Sequence, residues 1–324
     1  MLLGARDRAL GYKRVSRAHA VPRRKMRRHW SGAVPAMSAL LAAFSVQAAE
    51  PVTVRDAFGR SVTLPEPPQR IIPIFASNTE IVASLGLADR IVGIEAYTRY
   101  PPEVLDRPLV GGRLGFSVDA VVALKPDLVV VTPSRQAANQ LIDPMERLGV
   151  PIIVLLQRDV AEILVNIRLM ARVAGVDDRG ESVTAAMQRR LEAVRQRVDG
   201  KPAPSTIMIT GRLGNGLMLV AREGTYTGDA IIRAGGRFAL AGTQTIAQVS
   251  PEAILNADPD VLLWAGSDKD LKDLIDRPGW ADMRAVKNGR AHAVNRTELL
   301  IPGPRTVDGI ERLAALFHPA AAPR

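Results

Sequence analysis

An internal repeat constrains this chain more than any other feature. Ser117-Val118-Asp119-Ala120-Val121 runs through Leu124 to Pro126-Asp127 and an apolar stretch starting at Leu128. Ser250-Pro251-Glu252-Ala253-Ile254 runs at the same spacing to Pro259-Asp260 and an apolar stretch starting at Val261, 133 residues later at every matched position. Each copy places a serine where its hydroxyl caps a helix, an acid in the first turn where the helix dipole favours it, and a Pro-Asp turn that feeds a buried strand. A weaker match pairs Glu80-Ile81-Val82-Ala83-Ser84-Leu85-Gly86 with Asp229-Ala230-Ile231-Ile232-Arg233-Ala234-Gly235, in the same order along the chain. Two matches in one order predict two similarly folded lobes.

The patterns between the repeats specify what kind of lobe. Short β-branched runs at 70–75, 91–94, 128–132 and 152–156 read as strands, as do 206–210, 261–264 and 291–294. Helical patterns lie between them: one capped by Asn78 and ended by Gly86, one capped by Ser117, one at 227–234 and one at 305–317. Near-continuous apolar strands separated by helices imply parallel sheets covered on both faces. In Asp177–Val198, the residues Val183, Met187, Leu191, Val194 and Val198 fall on one helical stripe, and Gly200, Pro202 and Pro204 end it. Such a helix is about 33 Å long, enough to run along both lobes; an ordinary crossover helix inside one larger domain fits the periodicity as well. The expected fold is α/β, two similar α/β lobes with central parallel sheets joined by one long α-helix. Its divisions are a signal peptide at 1–49, an N-terminal lobe at 50–176, the linking helix at 177–199 and a C-terminal lobe at 200–324.

The formal charge is +10, yet residues 1–49 hold ten basic side chains against the single acid Asp7. Removing that +9 leaves +1 for the folded part, which excludes a basic footprint for nucleic acid. The basic head precedes an uncharged run from Ala33 to Ala49, with small residues at Val46 and Ala48 before Glu50. That is the order of an export signal, with Met26 as an alternative start and an uncleaved anchor as the rival reading. The chain has no cysteine, so disulfides, thiolate metal sites and a lipoprotein cysteine are excluded. The expected location is the periplasm, as a soluble monomer after cleavage.

The ordered set of motifs resembles the periplasmic binding proteins of ABC importers for ferric siderophores, haem and cobalamin. The stretches that carry the resemblance are Pro68-Gln69-Arg70-Ile71-Ile72, Asn78-Thr79-Glu80 to Leu85-Gly86, Tyr100-Pro101-Pro102, Ala123-Leu124-Lys125-Pro126-Asp127-Leu128-Val129, Ala234-Gly235-Gly236 and the Ser-Pro-Glu to Pro-Asp copy. The resemblance covers residues from about 52 to 317, and the order and spacing of these stretches carry it. The resemblance implies a binding component that delivers its ligand to an inner-membrane permease with its ATPase, through an acid on the outer rim of each lobe. Glu252 matches the acid of the C-lobe, and Asp119 stands where the family usually has Glu. Both acids also fit a purely local role at helix N-termini.

In such a fold the loops at the C-terminal ends of the strands line the cleft. This nominates Phe75, Ser77, Asn78, Tyr97, Arg113, Phe116 and Arg135 on the first lobe, with Arg212, Tyr226, Arg296 and Arg305 on the second. Arginine suits anionic chelates because its planar fork pairs with carboxylate or catecholate oxygens. Direct zinc or manganese binding needs several His and carboxylate ligands, and only His292 and His318 follow the leader. Haem wants an axial ligand, for which Tyr97 and Tyr226 are conceivable. A corrinoid prefers broad apolar walls, and aromatics make up 4% of the chain, although Tyr100-Pro101-Pro102 also suits the cobalamin members. A ferric siderophore leads, with corrinoid and haem as alternatives, and no cofactor of the protein's own is expected.

An α/β enzyme is the rival class. Its motifs are missing: Gly211-Arg212-Leu213-Gly214-Asn215-Gly216 has the wrong glycine spacing for a dinucleotide loop, and neither a phosphate loop nor a nucleophile elbow occurs. The glycine run reads as a turn between two strands, and no catalytic residue is nominated.

Overall fold

The computed structural model describes residues 50–112, 115–132, 138–242 and 248–319. The leader at 1–49, Arg113 and Arg135 lie outside the described residues.

In the first lobe, β1 (Ile71–Pro73) leads into α1 (Ala76–Ser84), α2 (Val118–Ala123) into β2 (Leu128–Val131), and β3 (Ile152–Val154) into α3 (Val160–Val173). The helix α4 (Asp177–Val198) follows. The second lobe contains β4 (Ser205–Arg212), α5 (Tyr226–Arg233), α6 (Pro251–Ala257), β5 (Val261–Ala265), β6 (Ala291–Val294) and α7 (Thr306–Phe317).

The strand that follows each Pro-Asp turn is central in its sheet. β2 lies between β1 and β3, all parallel, with Ile71 opposite Leu128 and Val129 opposite Ile152. β5 lies between β4 and β6, again parallel, with Val261 opposite Thr206 and Leu262 opposite Ala291. The outer side of the first strand is matched too: Ile91 bridges Ile71 in one lobe, and Arg237–Phe238 pairs with the start of β4 in the other.

Both faces of each sheet are covered, which explains why the strands are apolar throughout rather than alternating. Ile71, Leu128, Val130 and Ile153 enter one core of the first lobe, while Ile72, Val129, Val131 and Ile152 enter the other. In the second lobe Met208, Val261 and Leu263 face one way and Ile207, Ile209, Leu262 and Trp264 the other.

The repeat holds at atomic level. Ser117 Oγ accepts from the Ala120 amide at 3.1 Å and Ser250 Oγ from the Ala253 amide at 3.2 Å. Asp127 accepts from the amides of Gln69 (2.7 Å) and Arg70 (2.9 Å), pinning the entrance of β1 beside β2. Asp260 does the same for β4, accepting from the Ser205 amide at 2.8 Å and its hydroxyl at 2.7 Å. Even the strained residues correspond: Lys125 (φ 47°) and Asp258 (φ 38°) occupy the same repeat position in the left-handed region.

α4 rests on equivalent turns of both lobes. Its Arg179 donates to the carbonyls of Leu85 (3.1 Å) and Gly86 (3.2 Å) at the end of α1, while Val198 packs on Gly235 at the end of α5. Gly86 (φ 71°) and Gly235 (φ 84°) are both left-handed, the conformation that ends a helix most cheaply at glycine. Leu191 packs against a core of each lobe.

Two expectations need correction. Asn78 does not cap α1: the helix starts at Ala76 with Phe75 at its N-cap and no side-chain cap, because the chain passes from strand to helix within two residues and carries Asn78 inside. The expected strand at 91–94 is split, Ile91 bridging Ile71 while Ile94–Glu95 pairs with Leu109–Gly112 in a separate sheet. Gly93 permits this shift, since a Cβ there would meet Leu124 Cδ1 at 2.6 Å and Val110 Cγ1 at 2.9 Å. The glycine run at 211–216 joins two strands as expected: Gly211 and Arg212 end β4, and the turn at 214–216 leads into the antiparallel strand Met218–Val220.

Candidate functional site

Of the described nominated residues, Phe75, Ser77 and Asn78 stand just after β1, Tyr97 after Ile94–Glu95, Arg212 at the end of β4, and Arg296 just after β6, on the side where the strands end. The loop after β1 is strained. Phe75 adopts φ 78° and ψ 138°, a region that costs a side-chain-bearing residue about 1–3 kcal/mol. Its ring packs against the outer core of the first lobe, as does that of Phe116. The next turn is held from behind: Glu95 accepts from the Ala76 amide, and burial pushes its carboxyl up despite that bond.

Ser77 and Asn78 are buried. Asn78 donates to the Ile74 carbonyl at 2.6 Å, and its Oδ1 accepts from Gln157 Nε2 at 3.1 Å and Thr132 Oγ1 at 3.2 Å. This network ties the ends of β1, β2 and β3 together beneath the loops, so Asn78 sits in the scaffold rather than on its surface. Tyr97 is 53% exposed, and Tyr100 is 43% exposed. Both follow the short strand Ile94–Glu95.

On the second lobe, three of the four nominated side chains are engaged within the protein. Tyr226 donates its hydroxyl to the Leu300 carbonyl at 2.8 Å, and burial pushes the phenol up. Arg296 Nη1 donates to the carbonyls of Thr210 (2.8 Å) and Ala265 (2.9 Å), sealing the ends of β4 and β5. Arg305 donates through Nε (3.0 Å) and Nη2 (2.5 Å) to Glu80 of α1, and through Nη1 to Thr297 Oγ1 at 3.2 Å. Its guanidinium lies 4.2 Å from the centre of the Tyr100 ring. Arg212 is exposed and stands 6.0 Å from the Trp264 ring centre.

Glu80 was not nominated, although it is the acid most deeply committed here. Its side chain is 2% exposed, and burial raises its carboxyl even with Arg305 against it. The sequence clue is a charge inside the otherwise uncharged helix Ala76–Ser84. Glu80, Tyr100 and Arg305 border a cavity of about 130 Å³ between the two lobes. Among the described residues no group of three or more His, Cys, Asp or Glu side chains is placed to hold a metal ion.

A family model described as periplasmic binding protein matches residues 71–293. The chain belongs to that family. Among its curated relatives, the uncharacterised ABC transporter substrate-binding lipoprotein YvrC of Bacillus subtilis strain 168 is 26% identical over 273 residues, covering 83% of this chain and 86% of the relative. The vitamin B12-binding protein of Vibrio cholerae serotype O1 is 26% identical over 251 residues, covering 77% of this chain and 89% of the relative. Among solved structures, a periplasmic haem-binding protein from Pseudomonas aeruginosa superposes with a TM-score of 0.68 at 28% identity, covering 79% of this chain and 95% of that one.

In this periplasmic binding protein the two repeat acids occupy equivalent, exposed positions. Asp119 is the second residue of α2 and Glu252 the second of α6. Its own backbone amide and then the Ser250 hydroxyl hold the Glu252 carboxyl below the usual range. No helix among the described residues is long and apolar enough to cross a membrane.

Proposed function

We propose that this chain is the exported binding component of an ABC importer and that its ligand is a corrinoid, held between the lobes against Tyr97. The observation that carries this reading is the contrast within the site. The arginines Arg296 and Arg305, which favoured an anionic siderophore, are already bonded to strand carbonyls and to Glu80, whereas Tyr97 is free to offer a flat ring face. A large macrocycle with apolar faces is recognised by such a surface more than by charge. Relatives named for vitamin B12 binding, similar over most of their length, support the same class.

Thermal-shift and tryptophan-fluorescence titrations with cyanocobalamin, haemin and a ferric siderophore test it. Cyanocobalamin is expected to stabilise the protein by mass action, and Tyr97→Ala to weaken that binding about tenfold. Stabilisation by the siderophore alone rejects the corrinoid reading, and silence with all three rejects the metal-chelate class.

Haem is the second reading, favoured by the likeness to the Pseudomonas aeruginosa protein and by an exposed phenol able to serve as an axial ligand. A haemin Soret band that shifts on binding and reverts in Tyr97→Phe would select it. The role is binding and delivery rather than catalysis. Asp119 and Glu252, one per lobe and both outward, are the acids proposed to meet basic residues of the permease.

A further inference from the structure

The weaker repeat makes Glu80 of α1 and Asp229 of α5 equivalent, and the structure puts both acids to work across the lobe boundary. Glu80 of the first lobe holds Arg305, the residue at the N-cap of α7 in the second lobe. Asp229 of the second lobe accepts at 2.9 Å from the amide of Val160, the first residue of α3 in the first lobe. α3 and α7 are themselves equivalent, each the last helix of its lobe and each following the final strand of a parallel sheet.

The apolar packing is exchanged in the same way. Val307, in the first turn of α7, is fully buried within the core of the first lobe. Val160 is fully buried within the core of the second. Each lobe therefore inserts the leading valine of its last helix into its neighbour, and an acid at a repeat-related position closes over the inserted turn. On one side that acid meets a guanidinium stacked on Tyr100; on the other it meets a helix N-terminus, where a carboxylate is favoured by the dipole and the free amide.

We propose that Glu80 with Arg305, and Asp229 with the start of α3, form a reciprocal two-point clasp that fixes the separation of the lobes, so that the cleft is preset before ligand arrives. Glu80 and Asp229 are thus positioning residues. One contact alone leaves a hinge about the other. Two contacts backed by α4, which rests on both lobes, leave no free axis. This holds whichever ligand the cleft takes.

The absence of cysteine makes the test clean. Spin labels on Glu66→Cys and Ala281→Cys, both exposed and on different lobes, report one interlobe distance by pulsed electron resonance in the ligand-free protein. The otherwise unaltered chain should give a single narrow distribution. Glu80→Gln combined with Asp229→Ala should at least double its width, each single change widening it less. Lys269→Gln, which removes an ion pair to Asp273 inside the second lobe and none between the lobes or to α4, should leave it narrow. Circular dichroism checks that the lobes stay folded. Should Glu80→Gln unfold the first lobe, Arg305→Gln with Asp229→Asn loosens the same two contacts from their more exposed sides. A distribution in the folded double variant that superimposes on the unaltered one overturns the proposal, as does equal widening by Lys269→Gln.

Discussion

Glu80 carries an electrostatic conflict that its neighbours only partly relieve. Burial raises its carboxyl, and Arg305, the main opposing influence, lowers it by bonding and by charge, while Asp308 adds a smaller upward push. Replacing Arg305 with leucine leaves that carboxylate uncompensated, which costs about 3 kcal/mol at neutral pH. The pH dependence follows from the sign. A folded-state value above the unfolded one means that stability is retained at acid pH and lost as the pH rises through the folded value. The deficit of Arg305→Leu in urea unfolding should therefore be smaller at about pH 5 than at about pH 8, because protonation removes the unpaired charge. Asp260 behaves oppositely. Ser205, through hydroxyl and then amide, is the chief cause that holds its carboxyl low, with Arg284 and Arg237 assisting. Its contribution is present above the unfolded value and lost as the pH falls through the folded one, and Asp260→Ala should cost about 1–2 kcal/mol in the same assay at neutral pH. The clue to Asp260 lay in the Pro-Asp motif; that to Glu80 was a lone charge in an uncharged helix, with nothing to say that its partner lay 225 residues away.

At the scale of elements, the long helix shows how shape overrides propensity. Gly180 lies inside α4, where alanine would ordinarily be favoured by about 1 kcal/mol. A Cβ there would stand 2.4 Å from Ala171 Cβ on α3, and a methyl fixed to a neighbouring helix cannot rotate away. Overpacking of this kind costs about 1–3 kcal/mol, so Gly180→Ala should lower the midpoint of chemical unfolding rather than raise it. Adding Ala171→Gly should restore much of the loss. The apolar stripe of α4 was legible because helix period and burial coincide. Its seat on the glycine turns after α1 and α5 was not, because periodicity describes one helix and never the surface it meets. Asn78 shows the same limit: a residue type that favours helix caps was drawn into the core by Thr132 and Gln157, from loops far along the chain.

For the whole molecule, the acids at the repeat positions lead to a test of delivery. Asp119→Lys with Glu252→Lys should abolish ligand uptake by cells carrying the transporter while leaving ligand titrations of the purified protein unchanged, since both side chains are exposed and neither belongs to the interior. Uptake at the original level would leave the two acids with their helix-stabilising role alone. The sequence by itself determined the two-lobe α/β architecture, the parallel order built on the Pro-Asp strands, and the helix between the lobes. Those features rest on local chemistry that recurs at fixed spacing: a serine cap, a carboxylate facing strand amides, and apolar runs too continuous to face water. Tertiary structure alone decided which side chains of the site are free. Arg305 and Arg296 are ligand candidates in the sequence, and only the fold shows that Glu80 and the strand carbonyls already bond them, just as the exchange of Val160 and Val307 between cores depends on how two lobes meet. Availability is a property of neighbours distant in sequence, and a charged side chain has the same one-letter code whether it faces a ligand or a partner.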